Sequence, residues 1–269
     1  MRTDIAQSAQ GDKDHSLSAG NPSISVCMAA YNGATFIREQ IASILPQLND
    51  NDELVIVDDA SLDDTVGIIN GFCDARIRVV RQERNCGVVK TFGRALEEAR
   101  GEIIFLTDQD DVWWADKVRR FMNMFSASPG LTLIVSDCYI IDGNGSVTAR
   151  TRFKKGTFQF HPGVLHNLWR NRYQGSTMAF RRSILKYCLP IPPDIPVHDE
   201  WIGIINQFVG KAALIDEPLI SYRRHGNNGY SWTHRDLMQH VRWRWPFVKH
   251  IARLYVREVI LRGSCTMKM

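Results

Sequence analysis

Four short apolar runs, each followed by a polar break and three of them by a helix-like stretch, constrain this chain most. They occupy residues 24–29, 54–57, 77–80 and 102–106. Ile37, Ile41, Ile44, Leu45 and Leu48 recur at helical spacing after the first run. Val89, Phe92, Leu96 and Ala99 do so after the third, and Gly101 ends that helix. Strands buried on both faces, alternating with helices, predict an α/β fold with a mostly parallel central sheet flanked by helices. Ligands of such sheets bind beyond the carboxyl ends of the strands. Tyr31, Asp58, Asp59, Asp108, Asp110 and Asp111 all fall at those ends. Asn32 is placed to cap the first helix, and Ser61-x-x-Asp64 has the spacing of a capping box for the second.

The fourth run delivers Thr107-Asp108-Gln109-Asp110-Asp111-Val112-Trp113. Three carboxylates within four positions repel one another unless a cation or protons compensate them. A hard divalent ion with oxygen ligands, open on one side to a substrate phosphate, answers that need. The residues alone also suit an acidic turn capping the next helix. A strand-end Asp can accept from the imide N–H of uracil or thymine, and Tyr31 can stack on the base. Asp58 and Asp59 equally suit helix capping, and Tyr31 an ordinary core aromatic. No G-x-G-x-x-G follows the first run and no G-x-x-x-x-G-K-[ST] occurs, which argues against a dinucleotide fingerprint and a P-loop.

The chain has 269 residues, 44% of them hydrophobic and 23% charged, which suits one large domain with an appendage. A net charge of +4 without a recognition motif does not point to nucleic acid. No run of about 18 apolar residues could cross a bilayer. Residues 1–21 are polar, lack the apolar core of a secretion signal and read as a disordered tail. Six scattered cysteines with no CxxC pair fit free thiols in a reducing cytoplasm. Residues 131–137 read as a strand and Asp142-Gly143-Asn144-Gly145 as a turn, while residues 153–168 show no period. From Thr233 onward the chain turns basic and aromatic. Val248, Ile251, Ala252, Tyr255 and Val259 fit one helical stripe, and Lys249, Arg253 and Arg257 another. That suits an anionic membrane surface, or a helix packed on the catalytic domain or a dimer partner.

The segments Ser25-Val26-Cys27-Met28-Ala29-Ala30-Tyr31-Asn32-Gly33, Val57-Asp58-Asp59-Ala60-Ser61 and residues 107–113 resemble family 2 glycosyltransferases in letters and spacing. The resemblance covers roughly residues 24–228, and the Asp-Gln-Asp-Asp-x-Trp variant is most similar to bacterial rhamnosyltransferases of O-antigen and exopolysaccharide assembly. It implies a GT-A fold, a nucleoside-diphosphate sugar donor (dTDP- or UDP-linked), Mg²⁺ or Mn²⁺, and inversion at the sugar carbon. Tyr31, Asp58 and Asp59 would bind the base, Asn85 and Gly87 lie near ribose and sugar, and Asp108 lies near the ribose. Asp110 would hold the metal, and Asp111 would orient the sugar or support from behind. Ala29 stands where relatives often carry Thr, so that hydroxyl contact is absent.

In the second half the resemblance places Gly175 beneath the donor sugar. Asp199, in Val197-His198-Asp199-Glu200-Trp201-Ile202, takes the catalytic-base position, with Glu200 left open as the alternative. His198 and Trp201 would shape the pocket. His225 would be a second metal ligand, and Arg223 or Arg224 would offset diphosphate charge. Residues 22–232 then form the catalytic domain, divided into a nucleotide-binding half (22–111) and an acceptor half (112–232), and residues 233–269 form the tail. The leading expectation is L-rhamnose transfer from dTDP-rhamnose to a glycan or lipid-linked acceptor, in the cytoplasm or peripherally on the inner membrane face. A nucleotidyltransferase, which has no use for the Asp199 segment, and a non-catalytic nucleotide-sugar-binding module are the alternatives.

Overall fold

The computed structural model describes residues 23–149, 173–225 and 237–266. The expectations for residues 1–21 and 153–168 lie outside them. The first half alternates as its periodicity predicts: β1 (Ile24–Ala30), α1 (Ile37–Ile44), β2 (Glu53–Asp58), α2 (Thr65–Asn70), β3 (Ile77–Arg81), α3 (Val88–Glu98) and β4 (Ile103–Asp108). Then follow β5 (Val112–Trp113), α4 (Lys117–Ala127), β6 (Leu131–Ile141), β7 (Val147–Ala149), β8 (Met178–Arg181), α5 (Leu185–Cys188), α6 (His198–Val209), β9 (Lys211–Arg223) and α7 (Leu237–Thr266).

One sheet runs in the order β3-β2-β1-β4-β8-β6-β9-β5, with β7 beside β6. The pairs β3–β2, β2–β1 and β1–β4 are parallel. β8 joins β4 and β6 in antiparallel fashion, so the sheet passes from the first half into the second without a break. The two halves are therefore one layered body. One core packs on one face, with α1 and α4 contributing Ile37, Ile41 and Phe121 against Val26, Ile56 and Phe105. The other packs on the opposite face, with Phe92, Leu96, Trp201 and Ile205 from α3 and α6 against Leu106, Leu133 and Val135.

Two capping expectations fail. Ser61 Oγ accepts from Asn32 N (2.9 Å), Asn32 Oδ1 accepts from Leu62 N (2.8 Å), and Asp63 Oδ1 accepts from Thr65 N (3.0 Å). Asp63 Oδ2 also accepts from Ala34 N (3.0 Å), so Asn32, Ser61 and Asp63 tie the loops after β1 and β2 to each other, a cross-loop use that local spacing does not encode. β6 runs longer than the 131–137 stretch that marks it, because Tyr139, Ile140 and Ile141 go on pairing with β9, and Ile140 and Ile141 with β7 as well. Gly175–Thr177 is a tight 3₁₀ turn, and β8 starts only at Met178.

Gly101 has a packing cause. Its N–H donates to Ser25 Oγ (2.7 Å), and a Cβ there would lie 2.5 Å from the backbone carbon of Ile24 and the nitrogen of Ser25. Backbone cannot yield as a side-chain tip can. Gly101→Ala should lower unfolding stability by about 1–3 kcal/mol, as overpacking does. Urea denaturation midpoints would show it.

Candidate active site

The carboxyl ends of β1, β2 and β4 form the rim expected for a ligand. Tyr31 sits there 41% exposed, beyond the end of β1. Gln109 holds it: Tyr31 N donates to Gln109 Oε1 (2.8 Å) and Gln109 Nε2 donates to Tyr31 O (2.9 Å). A Cβ on Gly33 would lie 2.1 Å from the same Oε1, so this close approach needs glycine. Gln109 drew no role from sequence, because its partner is 78 residues away.

Asp58 is fully buried, with Oδ2 accepting from Ser61 N (3.2 Å) and lying 3.6 Å from Arg81 Nε. Asp59 shapes the next loop. Its Oδ1 accepts from Gln82 Nε2 (2.8 Å) and Cys86 N (2.7 Å), and its Oδ2 from Gly87 N (2.9 Å). Gly87, at φ +86°, makes that turn possible, and Asn85 is exposed in the loop. Both carboxylates thus organise backbone at the rim, whatever else they contact.

The acidic motif is the electrostatic centre. Burial, then the charges of Asp110 and Asp199, push the Asp108 carboxyl up to about 7, while Lys117 pulls it down. Asp111 is raised well above the carboxylate range by burial and by its two acidic neighbours, against hydrogen bonds from the Arg223 N–H and the Ser176 hydroxyl. Lys117, wholly buried, lies beneath this group. Its Nζ donates to Ser176 O (2.6 Å) and lies 4.0 Å from the centroid of the Trp113 ring. Burial draws its ammonium down to about 7, and Asp111 is the largest opposing influence. An internal lysine is therefore a protein-supplied counter-charge that sequence reading missed.

His225 reaches the same place from the end of β9. Its Nε2 lies 2.8 Å from Asp110 Oδ2, across 115 residues of chain. Its ring centroid is 5.0 Å from that of Phe36. Arg223 does not face a ligand. Its guanidinium donates to Asp110 O (2.7 Å) and Glu39 Oε2 (2.7 Å) and lies 4.7 Å from the Phe36 ring centroid, and its own N–H donates to Asp111 Oδ1 (3.0 Å). It clamps the acidic turn, leaving exposed Arg224 as the arginine open to an anion.

The third part comes from α6. Asp199 Oδ2 accepts from Gly175 N (2.8 Å) and Oδ1 from Glu200 N (2.6 Å). A Cβ on Gly175 would lie 3.2 Å from His198 Nε2, so glycine allows this approach. Asp199 is only partly buried and its charge acts on Asp108, which puts α6 and the end of β4 on one site. His198 stacks on Phe92 (3.9 Å, 17°), and burial holds its imidazole below the usual pKa. Glu200 and Trp201 face elsewhere. Buried Glu200 is ion-paired with Arg244 of α7, and Trp201 Nε1 donates to Cys188 O (2.9 Å) inside the second core. Trp201 is thus a core residue, not a pocket wall, because the first turn of α6 rotates it inward.

With this geometry in place, comparison with known proteins decides the family. The family model for glycosyl transferase family 2 matches residues 25–189. The chain belongs to glycosyl transferase family 2. An uncharacterised glycosyltransferase of Nostoc sp. is 30% identical over 221 residues, covering 77% of this chain and 66% of the relative, so the chain spans slightly less than two thirds of it. An Escherichia coli relative, UDP-Glc:α-D-GlcNAc-diphosphoundecaprenol β-1,3-glucosyltransferase, is 32% identical over 124 residues, 46% of this chain and 49% of that one. The crystal structure of Staphylococcus aureus TarS residues 1–349 with UDP-GlcNAc superposes with a TM-score of 0.62 at 20% identity, over 79% of this chain and 62% of that chain. The last likeness shows that the family 2 chain shares the GT-A-type fold of that protein.

Among the described residues no three His, Cys, Asp or Glu side chains are grouped to hold a metal. Asp110 and His225 nevertheless supply a carboxylate oxygen and an imidazole nitrogen side by side. That donor set suits a divalent ion whose remaining positions go to water and ligand oxygens. Burial first, and the acidic neighbours second, raise the Asp108 and Asp111 carboxyls, and a cation bound beside them would lower both.

Arg244→Met tests how this family 2 domain and α7 are joined. It leaves the Glu200 carboxylate buried without its partner, a loss of about 3–5 kcal/mol when such pairs are broken from one side. The melting temperature should fall, and limited proteolysis should release α7 before the catalytic core is cut.

Proposed function

We propose that this chain is an inverting, metal-dependent glycosyltransferase using a nucleoside-diphosphate sugar in bacterial surface-polysaccharide assembly. The observation that carries this reading is the convergence of Asp110 and His225 with the Asp199 side of the rim, from three distant stretches of sequence. The substrates in the name of the E. coli relative and the UDP-GlcNAc bound to TarS point the same way. On this reading the base stacks against Tyr31, with Asp58 and Asp59 behind it, and Asn85 and Gly87 border the ribose. Asp110 and His225 would hold Mg²⁺ or Mn²⁺, which when bound offsets charge on the leaving diphosphate. Arg224 adds a guanidinium to that offset. Asp111, held by Arg223, orients the sugar, and Gly175 leaves room for it.

Asp199 acts as general base. A carboxylate that takes the proton of the acceptor hydroxyl raises the nucleophilicity of its oxygen as it attacks the sugar carbon from the side opposite the diphosphate. The ion pair of Glu200 with Arg244 favours Asp199 over its neighbour for this role. L-Rhamnose from dTDP-rhamnose remains the leading donor on the 107–113 motif, with UDP-linked sugars next. Asp199→Asn should leave donor affinity intact and cut turnover by about 10²–10⁴-fold, the usual range for a lost general base. Asp110→Ala should remove the chelator-sensitive part of donor binding. Nucleotide release and thermal shift across a panel of nucleotide sugars measure both. A Glu200→Gln variant that alone abolishes turnover while staying folded would reassign the base.

The acceptor is a lipid-linked glycan, reached from an anionic membrane surface, and α7 supports this. Its inner face packs Phe247, Ile251 and Leu254 on the second core, while Lys249 and His250 pair with Asp194. Its outer face exposes Met238, Val241, Trp245, Val248, Ala252 and Val256 at three- and four-residue spacing, with exposed Arg242 and Arg253 alongside. The stripe read from sequence is therefore divided, Ile251 inward and Val248 and Ala252 outward, because Phe247 fixes the helix rotation. An apolar stripe bordered by arginines fits the interface of an anionic bilayer. No described helix is long and apolar enough to cross one. A Val241→Glu/Trp245→Glu variant should stop co-sedimenting with phosphatidylglycerol vesicles yet keep turnover on a soluble acceptor; undiminished co-sedimentation would refute the docking.

A further inference from the structure

Trp114 follows the acidic motif and is 47% exposed, although a large aromatic gains most from burial. It is not loose. Its N–H donates to Leu219 O (3.1 Å), its indole Nε1 donates to Ser221 Oγ (3.1 Å), and its ring stacks on Tyr139 at 5.1 Å and 30°. Tyr139 and Val112 each lie in register with Ser221, from the two sides of β9. Three neighbouring strands thus fix one aromatic surface with hydroxyls beside it.

Its location is specific. Ser221 precedes Arg223 by two residues on β9, and the Arg223 N–H binds Asp111, so the surface lies roughly 7 Å along the strand from the acidic turn. Cys138, beside Tyr139 on β6, and Leu219 and Ile220, before Ser221 on β9, pack in the first core, which Tyr139 and Ser221 do not join. Tyr31, the other exposed aromatic of the rim, lies across β4 on the β1 side. A base stacked on Tyr31 leaves the Trp114 side for the other reactant.

We infer that Trp114 and Tyr139 form the acceptor subsite: a stacking platform for one pyranose ring of the acceptor glycan. This rests on the transfer reading above. Ring C–H groups carry partial positive charge and face the negative π-surface of the indole, while Ser221 and the Tyr139 hydroxyl meet the sugar's own hydroxyls. The platform contributes area and orientation, and Asp199 contributes the chemistry.

Saturation-transfer NMR tests it with methyl β-D-glucopyranoside, methyl α-L-rhamnopyranoside and methyl N-acetyl-α-D-glucosaminide as probes, and UDP and dTDP as the nucleotide arm. At least one glycoside should contact the wild-type chain. That contact should fall about fivefold in Trp114→Ala, the scale of one lost aromatic contact, and partly in Tyr139→Leu, with nucleotide contacts unchanged in both. Circular dichroism confirms that each variant is folded. Absence of any glycoside contact in the wild type, full contact in Trp114→Ala, or loss of nucleotide contact in that variant would overturn the platform. Failure of the transfer reading has a different signature: neither nucleotide, nor any nucleotide sugar, contacts the wild-type chain.

Discussion

Unbalanced negative charge at the end of β4 is the constraint to which the rest of the structure answers. Three carboxylates sit within four residues, two of them raised far above their ordinary pKa by burial and by each other. Part of the compensation is internal. Lys117 lies beneath the cluster, and Arg223 grips its backbone while being neutralised by Glu39. The fold thereby stabilises the shape of the acidic turn, and on the proposed reading a bound cation would add to that compensation.

The surrounding loops are held by side chains that might have been assigned to ligands. Asp59 gathers three donors from residues 82–87, and Gln109 clasps Tyr31 through both backbone groups. Such bonds order the rim before any ligand arrives, which lowers the entropy that binding must spend on loops. Asp199 is treated alike: two backbone N–H groups fix its carboxylate without neutralising it. A carboxylate so held keeps its direction.

α7 links this site to the outer surface of the molecule. Through Arg244 it neutralises Glu200, the residue next to the proposed base, and through Phe247 it closes the second core. The opposite face of the same helix stays apolar and open. Packing on the domain and presenting an apolar stripe outward are thus properties of two faces of one helix.

The parallel half of the fold was legible because strands buried on both faces must be short and apolar, and because helix periodicity between them is strong. The acidic turn, Tyr31, Asp58 and Asp59 stood out because charge and aromatic residues at strand ends break that pattern, whereas the Asp199 segment, in the first turn of α6, stood out only through the family resemblance. What sequence could not give was pairing across distance. The meeting of Asp110 with His225 was expected through the family resemblance alone, whereas the inward turn of Arg223, the pairing of Glu200 with Arg244 and the place of Lys117 under the cluster depend on contacts roughly 6 to 113 positions apart along the chain. Local propensity carries no information about such partners. Sequence by itself determined which groups carry charge and which strands are buried; tertiary structure decided which charges face solvent, because only packing fixes how each helix is rotated against the sheet.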